Sequence, residues 1–174
     1  MIQTLFRSLN HLIAPPICAC CKEFLEHEGI LCFSCTQDIK PVVSKTIEIT
    51  KTKHITVLAI GAYYQPLRSL ILAKSRGYKP MSTILGRLLW DMSFVRNVPG
   101  DLVTSIPLHW TRYAWRGYNQ SHEIARSIAD QKKVPLVSLL RRTKRTPFLS
   151  LVRAHERVSY MNEAFIPINT HLIK

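Results

Sequence analysis

The sequence predicts an α/β fold in which a small cysteine-rich module precedes one domain built on a mainly parallel sheet. Three observations support this prediction. All five cysteines lie between Cys18 and Cys35. Beyond about residue 55, short β-branched runs alternate with segments whose apolar residues recur at helical spacing. Hydrophobic residues make up 47% of the 174 residues, enough for a packed core, so wholesale disorder is excluded.

The first domain is predicted over residues 1–40. Apolar residues at helical spacing predict a helix over residues 1–13, which Pro15 and Pro16 end. The cysteine module follows over residues 17–36. The Lys- and Thr-rich stretch 41–54 has no helical period, and it is either a linker or a poor edge strand.

The second domain is predicted over residues 55–174. Strands are expected at three apolar runs, which are residues 57–64, 102–106 and 136–140. Four helices are expected between and after them: one begun by Pro66, one capped by Ser82, one over His122 to Gln131 capped by Asn119 or Ser121, and one over Arg153 to Asn162. Strands that alternate with helices indicate a mainly parallel sheet.

Two cysteine pairs predict a metal site. Cys18-x-x-Cys21 and Cys32-x-x-Cys35 each bend the chain so that two thiolates point at one centre, and four thiolates complete the tetrahedral shell of Zn²⁺. A closed shell of four thiolates leaves no open position, so the zinc is expected to be structural. Cys20 is interpreted as a spare thiol beside the site, and His27 as a solvated loop residue.

The charge is strongly positive and uneven. The chain carries 24 Lys and Arg against 11 Asp and Glu; the part after Ile106 holds 12 basic and 4 acidic residues. Such a field attracts polyanions such as nucleic acid, phosphorylated metabolites or acidic lipid, although a basic domain without such a partner remains open. No apolar run approaches the roughly 20 residues that cross a bilayer, so no membrane span is predicted and a cytoplasmic protein is expected.

The segment from Ser105 to Gln120 is the main candidate for chemistry. It follows a predicted strand, where ligands of open α/β sheets bind. Arg112 and Arg116 lie four residues apart and could share a phosphate, and Gly117 would let backbone approach it. Four aromatics are available to stack on a base: Trp110, Tyr113, Trp115 and Tyr118. The equal alternative is that these aromatics cover the core while the arginines extend past them to solvent. Walker A, HExxH and GxSxG patterns are absent from the sequence.

The double CxxC module, the strand followed by Pro107-Leu108-His109, and the segment Arg116-Gly117-Tyr118-Asn119-Gln120 together resemble the ComF/GntX family. These are competence-associated proteins homologous to type I phosphoribosyltransferases. Weaker matches run along the rest of the chain, at residues 64–71 and 85–89, at Arg157 and at Ala164-Phe165. The sequence departs from the family pattern at Ala73-Lys74-Ser75, at Leu149 and at Tyr160.

The resemblance implies a zinc ribbon followed by an incomplete phosphoribosyltransferase-like domain. It implies a cytoplasmic role in DNA uptake, with single-stranded DNA and a helicase-like protein as partners. The candidate phosphate- or nucleic-acid-binding residues are Lys74, Arg112, Arg116, Gly117, Asn119, Gln120, Arg141, Arg142 and Arg157.

Catalysis by this chain alone is not expected. Family enzymes hold phosphoribosyl pyrophosphate (PRPP) and Mg²⁺ with two adjacent acids and a glycine-containing loop, which in the family follow the segment matching Ala164-Phe165. This chain has no two adjacent acidic residues, and its last glycine is Gly117. We therefore predict no catalytic residues, no PRPP or Mg²⁺ binding, and a truncated chain. The open alternatives are a basic zinc-ribbon nucleic-acid adaptor and a fragment of an active phosphoribosyltransferase.

Overall fold

The computed structural model describes residues 15–25, 29–42, 44–75 and 79–173. The chain divides into an amino-terminal unit, residues 1–76, and a carboxy-terminal unit, residues 77–174. The helix predicted over residues 1–13 and the role predicted for His27 lie outside the described residues. In the described part, no helix combines the length and the apolar character that a bilayer crossing requires.

The amino-terminal unit begins with the cysteine module. Residues 17 and 24 form an isolated antiparallel bridge around the first cysteine pair. Helix α1 (Phe33–Gln37) carries the second pair, and Cys32 is its N-cap residue. A module this small buries little apolar surface, so it needs another source of folding energy.

A β-hairpin follows the module. Strand β1 (Lys45–Thr50) pairs antiparallel with β2 (Lys53–Val57), with Ile47 opposite Ile55. Every residue of both strands is exposed. Residues 41–54, for which the sequence allowed either a linker or an edge strand, thus lie largely in strands.

The prediction of a buried strand over residues 57–64 is wrong. Only Val57 belongs to a strand, and the chain then turns through residues 58–64. The reason is packing at Gly61, where an added Cβ would lie 2.7 Å from the Ile39 side chain and 2.7 Å from the Lys40 carbonyl oxygen. Ala62 donates a backbone hydrogen bond to the same carbonyl at 2.9 Å, so this segment packs on the end of the cysteine module instead of pairing in a sheet.

Helix α2 (Leu67–Ser75) follows Pro66, as predicted from the preference of proline for helix starts. Its first turns supply the core of the amino-terminal unit. Leu67 and Leu70 are buried, and Leu67 lies beside Gly61.

Two helices form the core of the carboxy-terminal unit. Helix α3 (Lys79–Met92) packs along α5 (Gln120–Lys132). The buried faces combine apolar and small residues, which are Met81, Ser82, Leu85, Gly86 and Leu88 on α3 and Ala125, Ser127, Ile128 and Ala129 on α5. Ser82 is not the predicted cap, because α3 begins at Lys79 and Ser82 is fully buried inside it.

The cap predicted at the start of α5 is confirmed. The Asn119 side chain accepts a hydrogen bond from the Ser121 amide at 3.1 Å. Helix α4 (Trp110–Arg116) precedes it and ends at Gly117, whose φ of 74° lies in the left-handed region that favours glycine.

Strands are short in this unit. Val103 and Leu136 form an isolated parallel bridge, with Val103 N donating to Pro135 O at 2.9 Å and Val137 N to Val103 O at 2.8 Å. Strand β3 (Leu140–Arg142) pairs antiparallel with β4 (Phe165–Pro167). A mixed fold of helices and strands is therefore confirmed. Its two sheets in the described residues are small and antiparallel, so the mainly parallel sheet stays a prediction.

The remaining elements connect β3 to β4 and close the chain. Three-residue 3₁₀ turns lie at Leu149–Leu151, Ala154–Glu156 and Thr170–Leu172, and helix α6 spans Arg157–Met161. The helix predicted over Arg153 to Asn162 is thus present as a 3₁₀ turn continued by one short helix. A further 3₁₀ turn, Phe94–Asn97, follows α3.

Candidate metal centre and anion-binding groove

The first cysteine pair lies in a tight turn. Cys18 N donates to Glu23 O at 2.8 Å, and Lys22 N donates to Cys18 O at 3.0 Å. Lys22 adopts a φ of 70°, which turns the chain back behind Cys21. This local geometry is what two cysteines separated by two residues require when both sulfurs face one point.

The second pair meets the first through short sulfur contacts. Cys32 N donates to Cys18 Sγ at 3.4 Å, and Cys35 N donates to Cys32 Sγ at 3.5 Å. The Cys21 and Cys32 sulfurs are 3.6 Å apart, and the four sulfurs of Cys18, Cys21, Cys32 and Cys35 lie within 4.8 Å of one another. Thiolates at about 2.3 Å from one tetrahedral zinc would be about 3.8 Å apart. The four cysteines could therefore hold a metal ion.

The backbone prepares one of these thiols for ionisation. Burial raises the pKa of Cys18, but the Cys32 amide, which donates to its sulfur, and the backbone of Cys21 and Cys20 lower it, and the net pKa falls to about 6. Burial and the neighbouring thiols raise the pKa of Cys35. Four thiolates so close together would repel one another, and a bound divalent cation would offset that repulsion.

Cys20 does not belong to this cluster. Its thiol is half-buried, and it is absent from the described sulfurs that share the centre. Its backbone contributes to the lowered pKa of Cys18. The interpretation of Cys20 as a spare thiol agrees with this arrangement and identifies it as a natural control position.

The segment between Ile106 and α5 is held in place by polar contacts. His109 is buried and caps α4, with Nδ1 accepting from the Thr111 amide at 3.4 Å and lying 2.9 Å from Thr111 Oγ1. Asn119 Nδ2 donates to Ile106 O at 3.0 Å, so its side chain ties α5 to the preceding extended segment. His109 and Asn119 therefore act in this structure as positioning residues.

The structure brings Arg112 and Arg142 together around Thr146. Arg112 Nη2 donates to Thr146 O at 2.6 Å, and Arg142 Nη2 donates to Thr146 Oγ1. Thr146 is buried, 3% exposed. These bonds attach the basic stretch after β3 to helix α4, so residues far apart in sequence form one cationic surface.

The arginines repel one another. Burial lowers the pKa of Arg112, and the charges of Arg116 and Arg145 lower it further. Burial likewise lowers the pKa of Arg142, with a contribution from Arg112. Among the described residues, none of these guanidinium groups is paired with a carboxylate; the one ion pair found joins Lys79 and Glu123 at 3.3 Å. An anion would relieve this repulsion.

A groove of about 750 Å³ opens beside this cationic surface. Its walls come from the ends of the two bridged segments, from one side of α4 and from α5. The residues that define its chemistry are Ser105, Pro107, Trp110, Tyr113, His122, Glu123, Arg126, Ser138, Arg141 and Arg142. The groove therefore lies where the parallel bridged segments end, which is the position at which α/β proteins bind ligands.

The four aromatics of this segment divide between the two interpretations. Tyr118 is buried, as expected of a residue that covers the core. Trp110, Tyr113 and Trp115 are 72%, 53% and 75% exposed, although their apolar rings favour burial. Three of the four are thus available to an external ring.

Arg116, Gly117 and Arg157 have three different environments. Arg116 donates to Gln120 Oε1 at 2.8 Å, and the buried Nε of Arg116 has no hydrogen-bond partner among the described residues. Gly117 lines the groove, and an added Cβ there would meet nothing within 4 Å. Arg157 donates to Val152 O at 3.1 Å and thus stabilises its own loop.

Lys74 belongs to a different part of the chain. It lies in α2, in the amino-terminal unit, whereas the arginines lie in the carboxy-terminal unit. Its predicted role in binding therefore stays a prediction.

Sequence reasoning missed three residues of the site. Thr146 joins the arginines, Arg126 lines the groove, and Phe148 lies beneath the Arg112 guanidinium at 4.4 Å from its ring centre. No local pattern marks Thr146 or Phe148. Arg126 follows His122 by four residues, a helical spacing that places both on one face, and their side chains are 3.1 Å apart.

The fold and the site thus define a basic protein with mixed helices and strands and a four-cysteine cluster. No protein-family model matches the chain, and neither a curated protein nor a solved structure is significantly similar to it.

Proposed function

We propose that the carboxy-terminal unit binds single-stranded nucleic acid through the groove beside α4. The observation that carries the proposal is the set of arginines that line the groove, Arg126, Arg141 and Arg142, which have no carboxylate partner in the described residues and lie beside the exposed rings of Trp110 and Tyr113. Guanidinium groups attract phosphates, and exposed rings stack on bases that are not paired in a duplex.

Single-stranded nucleic acid is preferred over a small phosphorylated metabolite for two reasons. The groove is open and extends along both α4 and α5, and its cationic lining includes Arg126, Arg141 and Arg142. Trp110 and Tyr113, which also line it, offer faces that a sugar phosphate would leave unused.

The four-cysteine cluster is proposed to hold a structural zinc ion. Its four sulfurs would supply every ligand, and the bound ion would stabilise a module that has little core of its own. The zinc itself would have no open position for a substrate, so we assign no chemistry to it.

The resemblance to the ComF/GntX family places this activity in DNA uptake in the cytoplasm, with a helicase-like partner. This part of the proposal rests on the sequence motifs. A phosphoribosyltransferase-like domain of this family would contain a parallel sheet. The parallel bridge between Val103 and Leu136 is consistent with the start of such a sheet. A basic zinc-ribbon adaptor would bind nucleic acid in the same groove without a role in uptake.

Arg141→Gln tests the proposed groove. Arg141 is exposed and lines the groove; its backbone pairs with Ile166 in the β3–β4 ladder, and its side chain makes no hydrogen bond among the described residues. We expect the affinity for a fluorescein-labelled oligo(dT) to fall about three- to tenfold at low salt, and the dependence of log Kobs on log[salt] to become shallower by about 0.7.

Arg153→Gln is the matched control. It removes the same charge from an exposed residue that does not line the groove. Fluorescence anisotropy should give near wild-type affinity for this variant. Equal affinities of the two variants would show that only net charge matters and would contradict the groove.

A further inference from the structure

A second cleft, distinct from the groove, lies on the other side of α4. Trp110, Tyr113 and Ala114 face the groove, whereas Thr111, Arg112 and Trp115 face this second space, as the 100° rotation per residue of a helix requires. The second cleft has a volume of about 440 Å³ and is completed by residues 145–148. We name it the Trp115 cleft.

Two aromatic rings, Trp115 and Phe148, line the Trp115 cleft, and internal contacts hold part of its wall in place. Arg112 lies over the Phe148 ring at 4.4 Å and donates to Thr146 O at 2.6 Å, so two contacts attach the loop to the helix. Arg142 also donates a hydrogen bond to the Thr146 hydroxyl. The cleft is therefore held open by internal bonds of Arg112 and Arg142, not by the side chains at its mouth.

Three side chains at the mouth are accessible to a ligand. Trp115 is 75% exposed and Phe148 is 46% exposed. Arg145 is exposed and contributes to the positive field around Arg112. The residues that line the cleft include no Asp or Glu. An occupant must therefore combine a flat apolar ring with a negative charge.

We infer that the Trp115 cleft binds one nucleotide of the single strand, with its base against Trp115 and Phe148 and its phosphate at Arg145. The inference rests on the proposed function and extends it to a site on the opposite side of α4. The volume lies within the roughly 300–1,000 Å³ of small-molecule pockets, which suits one nucleotide and excludes a folded segment.

One consequence is a path for the strand. The groove and the Trp115 cleft flank the same seven-residue helix, which carries the half-buried Arg112 and Arg116. A strand that crosses α4 would place one base in each, and its phosphates would pass Arg112 and Arg116. Base stacking on both sides would then orient the strand across the helix.

The test uses thymidine 5′-monophosphate (dTMP) and the full chain. The three tryptophan indole N–H signals are followed by NMR, and Trp115→Phe assigns the signal of residue 115. We expect dTMP to shift that signal in a saturable way. Deoxyribose 5-phosphate, which carries the same charge and no base, should leave it nearly unchanged. Equal shifts with both ligands would overturn the role of the base.

Variants then separate this site from the groove. Trp115→Leu should weaken oligo(dT) binding by about tenfold, because stacking on one base is lost. Phe94→Leu, which alters another exposed aromatic that lines neither space, should bind as the wild type does. Arg145→Gln should weaken dTMP binding by about three- to tenfold.

The outcomes distinguish the two proposals. If wild-type protein binds oligo(dT) and Arg141→Gln weakens binding while Trp115→Leu does not, the Trp115 cleft is refuted and the groove stands. If oligo(dT) does not bind at all, the proposed function fails, and a dTMP shift confined to Trp115 would then support only a mononucleotide site. The absence of any dTMP shift overturns the inference.

Discussion

Cys35→Ser is expected to abolish metal binding and to unfold the cysteine module. Cys35 is buried, 7% exposed, and its sulfur lies within 4.8 Å of the other three. A serine hydroxyl at this position is a poor ligand for zinc and would leave a buried polar group in the cluster. Structural zinc contributes about 10–16 kcal/mol of apparent binding energy at neutral pH in small zinc modules, and that energy is coupled to folding.

Cobalt substitution measures this effect. Wild-type protein loaded with Co²⁺ should show the absorption bands of a tetrahedral thiolate site, and zinc quantification should give about one ion per chain. Cys35→Ser should lose both signals, and residues 15–42 should become sensitive to protease. Cys20→Ser should retain both, because Cys20 lies outside the cluster. Retention of a full complement of metal by Cys35→Ser would contradict the four-cysteine site.

Gly86→Val is expected to destabilise the carboxy-terminal unit by about 3 kcal/mol or more. Gly86 lies where α3 meets α5, and an added Cβ would be 2.6 Å from Ser127 Cβ and 3.0 Å from Ile124 O. Relief of that overlap requires the helices to separate, and overpacking of a well-packed core costs about 1–3 kcal/mol before the two γ methyl groups of valine are counted. Alanine is a weaker test, because its higher helix propensity offsets part of the strain.

Chemical denaturation followed by far-ultraviolet circular dichroism measures the free energy of unfolding. Gly100→Ala is the matched control, since an added Cβ there meets only Lys132 Cε, at 3.9 Å. We expect Gly100→Ala to unfold at the wild-type midpoint. A Gly86→Val protein with unchanged stability would show that α3 and α5 do not approach as closely as described.

Some features could be predicted from sequence because they depend on near neighbours in the chain. The spacing of Cys18, Cys21, Cys32 and Cys35 limits where four sulfurs can meet, and the cluster follows. Helix α2 after Pro66 and the Asn119 cap of α5 also depend on residues within one turn. Such local patterns depend little on the tertiary structure around them.

Other features depend on contacts between distant residues. The segment 57–64 has the composition of a buried strand, but close packing of Gly61 on Ile39 and Lys40 turns it into a loop. β-branched composition indicates a strand only when a partner strand is available to pair with it. Ser82 has the chemistry of a cap, yet the helix began one turn earlier and buried it.

The arginine surface likewise combines features that depend on near neighbours with features that depend on distant contacts. The spacing of Arg112 and Arg116 predicted a shared helical face, and both lie on α4. The convergence of Arg112 and Arg142 on Thr146 could not be predicted, because the buried Thr146 lies 34 positions after Arg112 in the chain. The sequence could not show whether the rings of Trp110 and Trp115 are exposed or buried, because the same rings would pack equally well in a core.

A salt titration of oligo(dT) binding by the full wild-type chain tests the central claim most directly. If Arg126, Arg141 and Arg142 in the groove and Arg145 in the Trp115 cleft together neutralise about three to four phosphates, log Kobs should fall linearly against log[salt] with a slope of about −2 to −3. Single-stranded oligo(dT) should also bind more tightly than a duplex of equal length, because exposed rings stack only on unpaired bases. No binding at low salt, or binding that does not change with salt, would contradict the account.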